Sequence, residues 1–185
     1  MIRRFRRRGF AVTALIIVIT AGFYFVLNDE IGLGPPLPPP ALWVYAINEA
    51  DIEEVTVRQA AFQEHYIKIG LGWFLVRGGE SLLVDPVRWG AGVPLLLSGP
   101  SANRVFNVPD EGLAEFGFTS PKGEIEMSLR GERRFHVLVG DTTPNGKQHY
   151  VRLAGRPEVS LVQASWVTLL LALATDPAVL VESGG

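Results

Sequence analysis

The sequence contains no cysteine and only three histidines among its 185 residues. Without a thiol, the chain cannot form a disulfide scaffold, a thiolate zinc site, an iron–sulfur cluster or a cysteine nucleophile. The histidines His65, His136 and His149 do not follow the spacing of a zinc-protease motif, and no phosphate-binding glycine loop or serine-hydrolase elbow occurs. The sequence therefore predicts no cofactor, no metal site and no catalytic residue, and we expect a protein that is not an enzyme.

The chain also lacks a large excess of either charge, since its 17 basic and 19 acidic residues give a formal net charge of −2. This balance excludes a strongly basic nucleic-acid-binding protein, so we expect no nucleic acid among the partners. With 48% hydrophobic and 19% charged residues, the chain is too apolar to be disordered throughout. The charge is uneven: five of the 17 basic residues lie in positions 1–9, which leaves 12 basic against 19 acidic residues elsewhere, a net of −7. The arginines of this basic tip are Arg3, Arg4, Arg6, Arg7 and Arg8.

Residues 10–27 form a run of 18 positions without a charged side chain. As a helix rising about 1.5 Å per residue, this run would extend roughly 27 Å, close to the thickness of the hydrocarbon core. The run is longer than a usual signal-peptide core, so we predict an uncleaved transmembrane signal anchor, with a cleaved signal peptide as the alternative. The positive-inside rule then places the basic tip in the cytoplasm. The predicted location is the cytoplasmic (inner) membrane, with one span through the bilayer and an extracytoplasmic body.

Glycine and proline dominate the segment that follows, with the run GLGPPLPPP at 32–40. Proline restricts φ and lacks a backbone donor, so this run favours polyproline II over a packed helix or strand. We interpret it as a stalk, with a ligand for an SH3-like groove as the alternative. The predicted organisation is a basic tip at 1–9, an anchor at 10–27, a stalk at 28–42 and a folded domain at 43–185.

The folded domain has the pattern of an α+β fold, rich in antiparallel hairpins with two or three short helices. Ile125, Met127 and Leu129 alternate with polar residues, which predicts a strand with one buried and one solvated face. Before residue 85, the glycines at 70 and 72 and at 78 and 79 indicate turns between further strands. Helices are expected over 86–97, 110–116 and 164–174, and the last of these is too short for a second membrane span. Residues 52–84 and 121–175 suggest a weak internal repeat, and residues 177–185 suggest a last edge strand.

The loop at 140–148, with the sequence GDTTPNGKQ, is the strongest candidate for a ligand or partner site. Its side chains Asp141, Thr142 and Thr143, together with His149 just after it, are suited to binding phosphate or a cation. The alternative is a plain hairpin loop in which Asp and Thr bond the local backbone and Asn-Gly supplies the positive φ. For His136 and His65, we expect solvated positions on strands, with a metal ligand or a base as the alternative.

Several stretches of the body together resemble an uncharacterised bacterial envelope family, domain of unknown function 4340. They are DIEEVTVRQ at 51–59, GWFLVRGGE at 72–80, LAEFGFTSPKGEIEMSL at 113–129 and HVLVGDTTPNGKQHYVRLAG at 136–155. The resemblance implies an N-terminal membrane helix and a β-rich extracytoplasmic body, in some members encoded near exporter components. It implies no catalytic residues, and the proline-rich stalk departs from the family pattern.

Three functions are consistent with these features. The first is a membrane-anchored, non-enzymatic envelope protein whose β-rich domain binds another membrane or envelope protein. The second is a small accessory subunit of a larger membrane complex, such as a transporter or an energy-converting assembly. The third is a hydrolase or ligand-binding enzyme that uses Asp141, Thr143 and His149.

Overall fold

A computed structural model describes residues 17–21, 24 and 41–180 of the chain. The chain divides into two compact units, Met1–Pro40 and Ala41–Gly185. The basic tip and the proline-rich run lie outside the described residues, as do residues 181–185.

The predicted transmembrane helix is the part of the fold class that the structure contradicts. Of residues 10–27, the structure describes only 17–21 and 24, which are helical. No helix among the described parts of the chain is long and apolar enough to cross a membrane. A span requires about 20 residues in one continuous helix, whereas the prediction rested on the length of the charge-free run at 10–27. The transmembrane-helix part of the predicted fold class is therefore wrong.

The second unit is built mainly from β-strands. Glycine turns separate many of them; Gly70, Gly78 and Gly131, for example, adopt positive φ between consecutive strands. The strands are β1 (Leu42–Trp43), β2 (Ile52–Gln59), β3 (Phe62–Ile69), β4 (Gly72–Arg77), β5 (Glu80–Leu83), β6 (Ser101–Ala102), β7 (Arg104–Asn107), β8 (Gly123–Leu129), β9 (Arg133–Thr142), β10 (Gln148–Leu153) and β11 (Glu158–Gln163).

Nine of these strands form one antiparallel sheet in the order β5-β4-β3-β2-β8-β9-β10-β11-β7, and β1 pairs with β6 separately. The sheet consists of two four-stranded meanders, β2–β5 and β8–β11, whose first strands pair with each other, and of β7, which pairs with β11 at one edge. In that central pair, Val55 lies opposite Met127 and Val57 lies opposite Ile125. A helix follows each meander, so the architecture is in keeping with the repeat suggested by the sequence.

Short helices connect or follow the meanders. They are α1 (Pro86–Gly90), α2 (Val93–Leu97) and α3 (Ala164–Thr175), with 3-10 turns at Glu49–Asp51 and Asp110–Phe116. The predicted cap at Asp85 is confirmed, because its carboxylate accepts hydrogen bonds from the backbone of Val87 and Arg88. The single helix predicted over 86–97 is wrong, since Gly92 adopts a φ of 132° and divides it in two.

All three helices contribute to the core on one face of the sheet, which we call the inner face. The alternation predicted for β8 is confirmed, because Ile125, Met127 and Leu129 are buried in this core. Helix α3 packs across the central strands, and its Leu170 is completely buried. The Tyr66 hydroxyl donates a hydrogen bond of 2.7 Å to the Leu173 carbonyl, and burial raises the pKa of this phenol.

A second, smaller core covers part of the opposite, outer face. The ring of Phe116 packs tilted against Phe106 and edge-on against Tyr150, and Val159 is buried beneath the 3-10 turn. This core lies over β9, β10, β11 and β7. The outer face of β2 and β8 carries polar side chains instead, and Gln63 and His65 of β3 lie beside them. This part of the sheet can therefore form a polar site.

Replacing Leu170 with alanine is expected to lower the free energy of unfolding by about 2–5 kcal/mol, because the change leaves a cavity between α3 and the sheet. Urea denaturation of the purified chain measures this loss. Leu169→Ala, on the exposed side of the same helix, is the matched control and is expected to change stability by less than about 1 kcal/mol. Equal losses in the two variants would contradict the packing of α3.

Candidate functional site

The predicted loop residues lie where β9 turns into β10. Thr143 is buried, and its hydroxyl donates to Asn145 over 2.8 Å and accepts from the Gln148 backbone over 3.2 Å. The Asp141 carboxylate forms an ion pair of 3.0 Å with Lys122. The loop therefore bonds largely within itself, which favours the hairpin interpretation over a ligand site.

His149 lies on β10 opposite Thr142, as the strand register requires. The distance between the Thr142 hydroxyl and Nε2 of His149 is 3.5 Å, and Nδ1 lies 3.4 Å from the Gly140 carbonyl. The structure thus brings Thr142 and His149 together. Thr143 and Asp141 bond to other partners, so the four side chains do not form one constellation.

A second polar group lies at the centre of the outer face, where β2, β8 and β9 meet. Nε2 of His136 lies 3.0 Å from Oε2 of Glu124 and 3.8 Å from Oε1 of Glu126. Nη1 of Arg58 approaches the same two oxygens at 3.3 and 2.5 Å. We call these four residues the central polar cluster.

The strand register explains why these side chains meet. Arg58 is paired with Glu124 across β2 and β8, and Glu126 is paired with His136 across β8 and β9. Glu124 and Glu126 are two residues apart on one strand, so both point to the outer face. The hydrogen bond from Arg58 to Glu126 is the largest cause of the raised pKa of the guanidinium. The cluster is therefore an ion-paired network in which two carboxylates share one guanidinium and one imidazole.

An equivalent pair occurs in the first meander, where Nε2 of His65 lies 3.8 Å from Oε2 of Glu54. His65 lies on β3 beside β2, just as His136 lies on β9 beside β8. At the position of Glu126, the first meander has Thr56, which is paired with His65 and with Glu126 itself. The two histidines, Glu54 and Glu126 line a cleft of about 430 Å³ on the outer face.

Sequence analysis named His136 but missed its three partners, because the cluster draws on three strands and Arg58 lies 66 residues before Glu124. A weak signal was present: Glu54 precedes His65 by 11 residues, and Glu124 precedes His136 by 12, each across one hairpin. Only the pairing of β2 with β8 brings Arg58 to the carboxylates.

An apolar cleft lies at the other end of the sheet, between the turn after β3, strand β5 and helix α1. Its volume is about 440 Å³, and Trp73 and Trp89 line it together with Leu71 and Leu83. The two indole rings lie 4.9 Å apart, and Trp89 is equally close to the ring of Tyr66. The indole N–H of Trp89 is buried without a hydrogen-bond partner. We call this the tryptophan cleft.

Comparison of the chain with protein-family models, with curated proteins and with solved structures found no match. The resemblance to domain of unknown function 4340 stays a prediction, and the functional argument rests on the sequence and the geometry described above.

Thr143→Val is expected to lower the free energy of unfolding by about 1 kcal/mol, because it removes the hydroxyl that closes the β9–β10 loop. Thermal or urea denaturation measures the change. Thr142→Val is the matched control and is expected to be nearly neutral, since its hydroxyl makes only the long contact to His149. A larger loss from Thr142→Val than from Thr143→Val would contradict this account of the loop.

Proposed function

We propose that the domain formed by residues 41–180 is a non-enzymatic protein-binding domain. The partner inserts an apolar side chain into the tryptophan cleft. The observation that carries the proposal is the concentration of exposed apolar side chains around this cleft. The predicted partner class, another membrane or envelope protein, stays a prediction.

Six of the eleven exposed large hydrophobic side chains described in residues 41–180 fall between Ile69 and Leu95. They belong to the end of β3 and the turn after it, to β5 and to the two short helices, and two of them, Leu71 and Leu83, line the cleft itself. Leu71, at the tip of that turn, is fully exposed, and Val87 on α1 is 79% exposed. Isolated exposed apolar residues are ordinary on protein surfaces, but a cluster beside a cleft is typical of an interaction site.

The composition of the tryptophan cleft also favours a protein partner. Tryptophan is enriched among the residues that contribute most to binding at interfaces, where an anchoring side chain fills a desolvated pocket. Lys68 and Glu49 also line the cleft and offer polar contacts beside the apolar surface.

A binding rather than catalytic role is supported by how the polar side chains are engaged. Asp141 pairs with Lys122, and Thr143 closes its own loop. His149 approaches other groups, with Nε2 lying 3.5 Å from the Thr142 hydroxyl and Nδ1 lying 3.4 Å from the Gly140 carbonyl. Asp141, Thr143 and His149 are therefore engaged with different partners, which supports binding over catalysis by these three residues.

Photo-crosslinking tests this proposal directly. A photo-reactive amino acid at position 71 is expected to capture one defined protein in the native cell, whereas the same group at position 169 on α3 captures none. Both positions are exposed, Leu71 fully and Leu169 by 56%, so the fold buries neither crosslinking group. Equal crosslinking from the two positions, or none from position 71, would overturn the proposal.

Leu71→Asp is expected to weaken binding of the captured protein by at least about tenfold, because a charge at the cleft cannot be buried against an apolar partner. The side chain is fully exposed, so the fold is not affected. Titration of the purified partner against the variant measures the loss, with Leu169→Asp as the control for added negative charge. Unchanged affinity in Leu71→Asp would contradict a role for the cleft.

A further inference from the structure

We propose that Glu124, Glu126 and His136 form a binding site for a divalent transition-metal ion, and that the Arg58 guanidinium occupies the position of the cation when no metal is bound. This inference is independent of the tryptophan cleft. It concerns a different face of the sheet and a different kind of ligand.

The ligand atoms have the chemistry and spacing of a metal site. Each residue offers one atom, and the three atoms lie within 4.8 Å of one another. Ligands about 2.0–2.1 Å from a tetrahedral zinc ion are about 3.3 Å apart. The distances from Nε2 of His136 to the two carboxylate oxygens, 3.0 and 3.8 Å, fall on either side of that value. Small side-chain adjustments therefore suffice to coordinate the ion.

The donor set indicates the class of metal. An imidazole nitrogen favours zinc, copper, nickel or iron over magnesium and calcium, which prefer oxygen ligands alone. Two carboxylates supply the charge that balances a divalent ion. Three protein ligands leave a coordination position for water, and all three side chains are only partly buried, so an ion can enter from solvent.

The backbone holds these ligands in a fixed frame. Glu124 and Glu126 project from the same side of β8, and His136 is paired with Glu126 on the neighbouring strand. β8 and β9 lie in the middle of the nine-stranded sheet, and the residues beneath them, Ile125 and Val137, are completely buried. A site on such strands loses little conformational entropy when the ion binds.

The guanidinium of Arg58 is a cation that is bound between the two carboxylates of the site. Its Nη1 contacts both carboxylate oxygens that face His136, and its Nε donates separately to Gln63 over 2.8 Å. The bond to Gln63 does not involve the carboxylates, so the guanidinium can leave them and keep one partner. A metal ion and Arg58 therefore compete for the same two oxygens.

The first meander provides an internal comparison. His65 and Glu54 form the equivalent histidine–glutamate pair, but Thr56 replaces the second glutamate. A neutral hydroxyl in place of a carboxylate leaves two good ligands instead of three. We therefore expect the metal ion to bind in the second meander, at Glu124, Glu126 and His136, and not at His65 and Glu54.

The test is zinc titration of the full-length chain, purified without a polyhistidine tag, by isothermal calorimetry. We expect one site in the wild type. His136→Ala and Glu126→Gln are each expected to raise the Kd for Zn²⁺ by at least about tenfold, and His65→Ala, the matched control, is expected to leave it unchanged. Arg58→Met is expected to lower the Kd by about two- to fivefold, because it removes the competing cation.

Circular dichroism establishes that each variant remains folded, and Glu126→Gln keeps the size of the side chain should His136→Ala unfold the chain. Electron paramagnetic resonance with Cu²⁺ gives a second readout: the coupling of one imidazole nitrogen is lost in His136→Ala and kept in His65→Ala. Failure of the wild type and Arg58→Met to bind Zn²⁺ would overturn the proposal. Unchanged binding in folded His136→Ala, or weaker binding in Arg58→Met, would also overturn it.

Discussion

The pairing of β2 with β8 is the constraint on which the rest of this domain depends. These strands begin the two meanders, and their antiparallel register joins two four-stranded halves into one sheet. On the inner face, the register places Val55 beside Met127 beneath α3. On the outer face, it places Arg58 beside Glu124. Because side chains alternate along a strand, a shift by one residue would exchange the core and the polar cluster.

The two faces of the sheet carry different kinds of side chain: the inner face carries the main hydrophobic core, and the outer face carries a smaller core and the central polar cluster. Helices cover the inner face, and a small aromatic core covers the outer face of β9, β10, β11 and β7. Within residues 41–180, the two surfaces for which we propose a ligand are the central polar cluster and the tryptophan cleft. The two surfaces suit different ligands. The central polar cluster consists of charged and polar side chains on neighbouring strands, whereas apolar side chains of a turn, β5 and α1 line the tryptophan cleft.

The sequence predicted local elements best where a periodic pattern was strong. The alternation around Met127 predicted β8, and Asp85 followed by proline predicted the start of α1. It failed where one residue overrides a pattern, as Gly92 does in dividing the helix predicted over 86–97. The membrane span predicted over 10–27 from the length of its charge-free run is also wrong, since no helix in the described parts of the chain is long and apolar enough to cross a membrane. Of the predicted loop residues, only Thr142 and His149 meet.

By itself, the sequence determined that the domain is rich in antiparallel strands, that β8 has one buried face and that the chain has no thiol chemistry. These properties follow from residue type and short spacing. Only the tertiary structure decided that Arg58 meets Glu126 and that Trp73 meets Trp89. Such contacts depend on strand order and on the packing of α1, which short-range spacing does not encode. The candidate sites arise from long-range pairing, whereas the elements that carry them arise from local pattern.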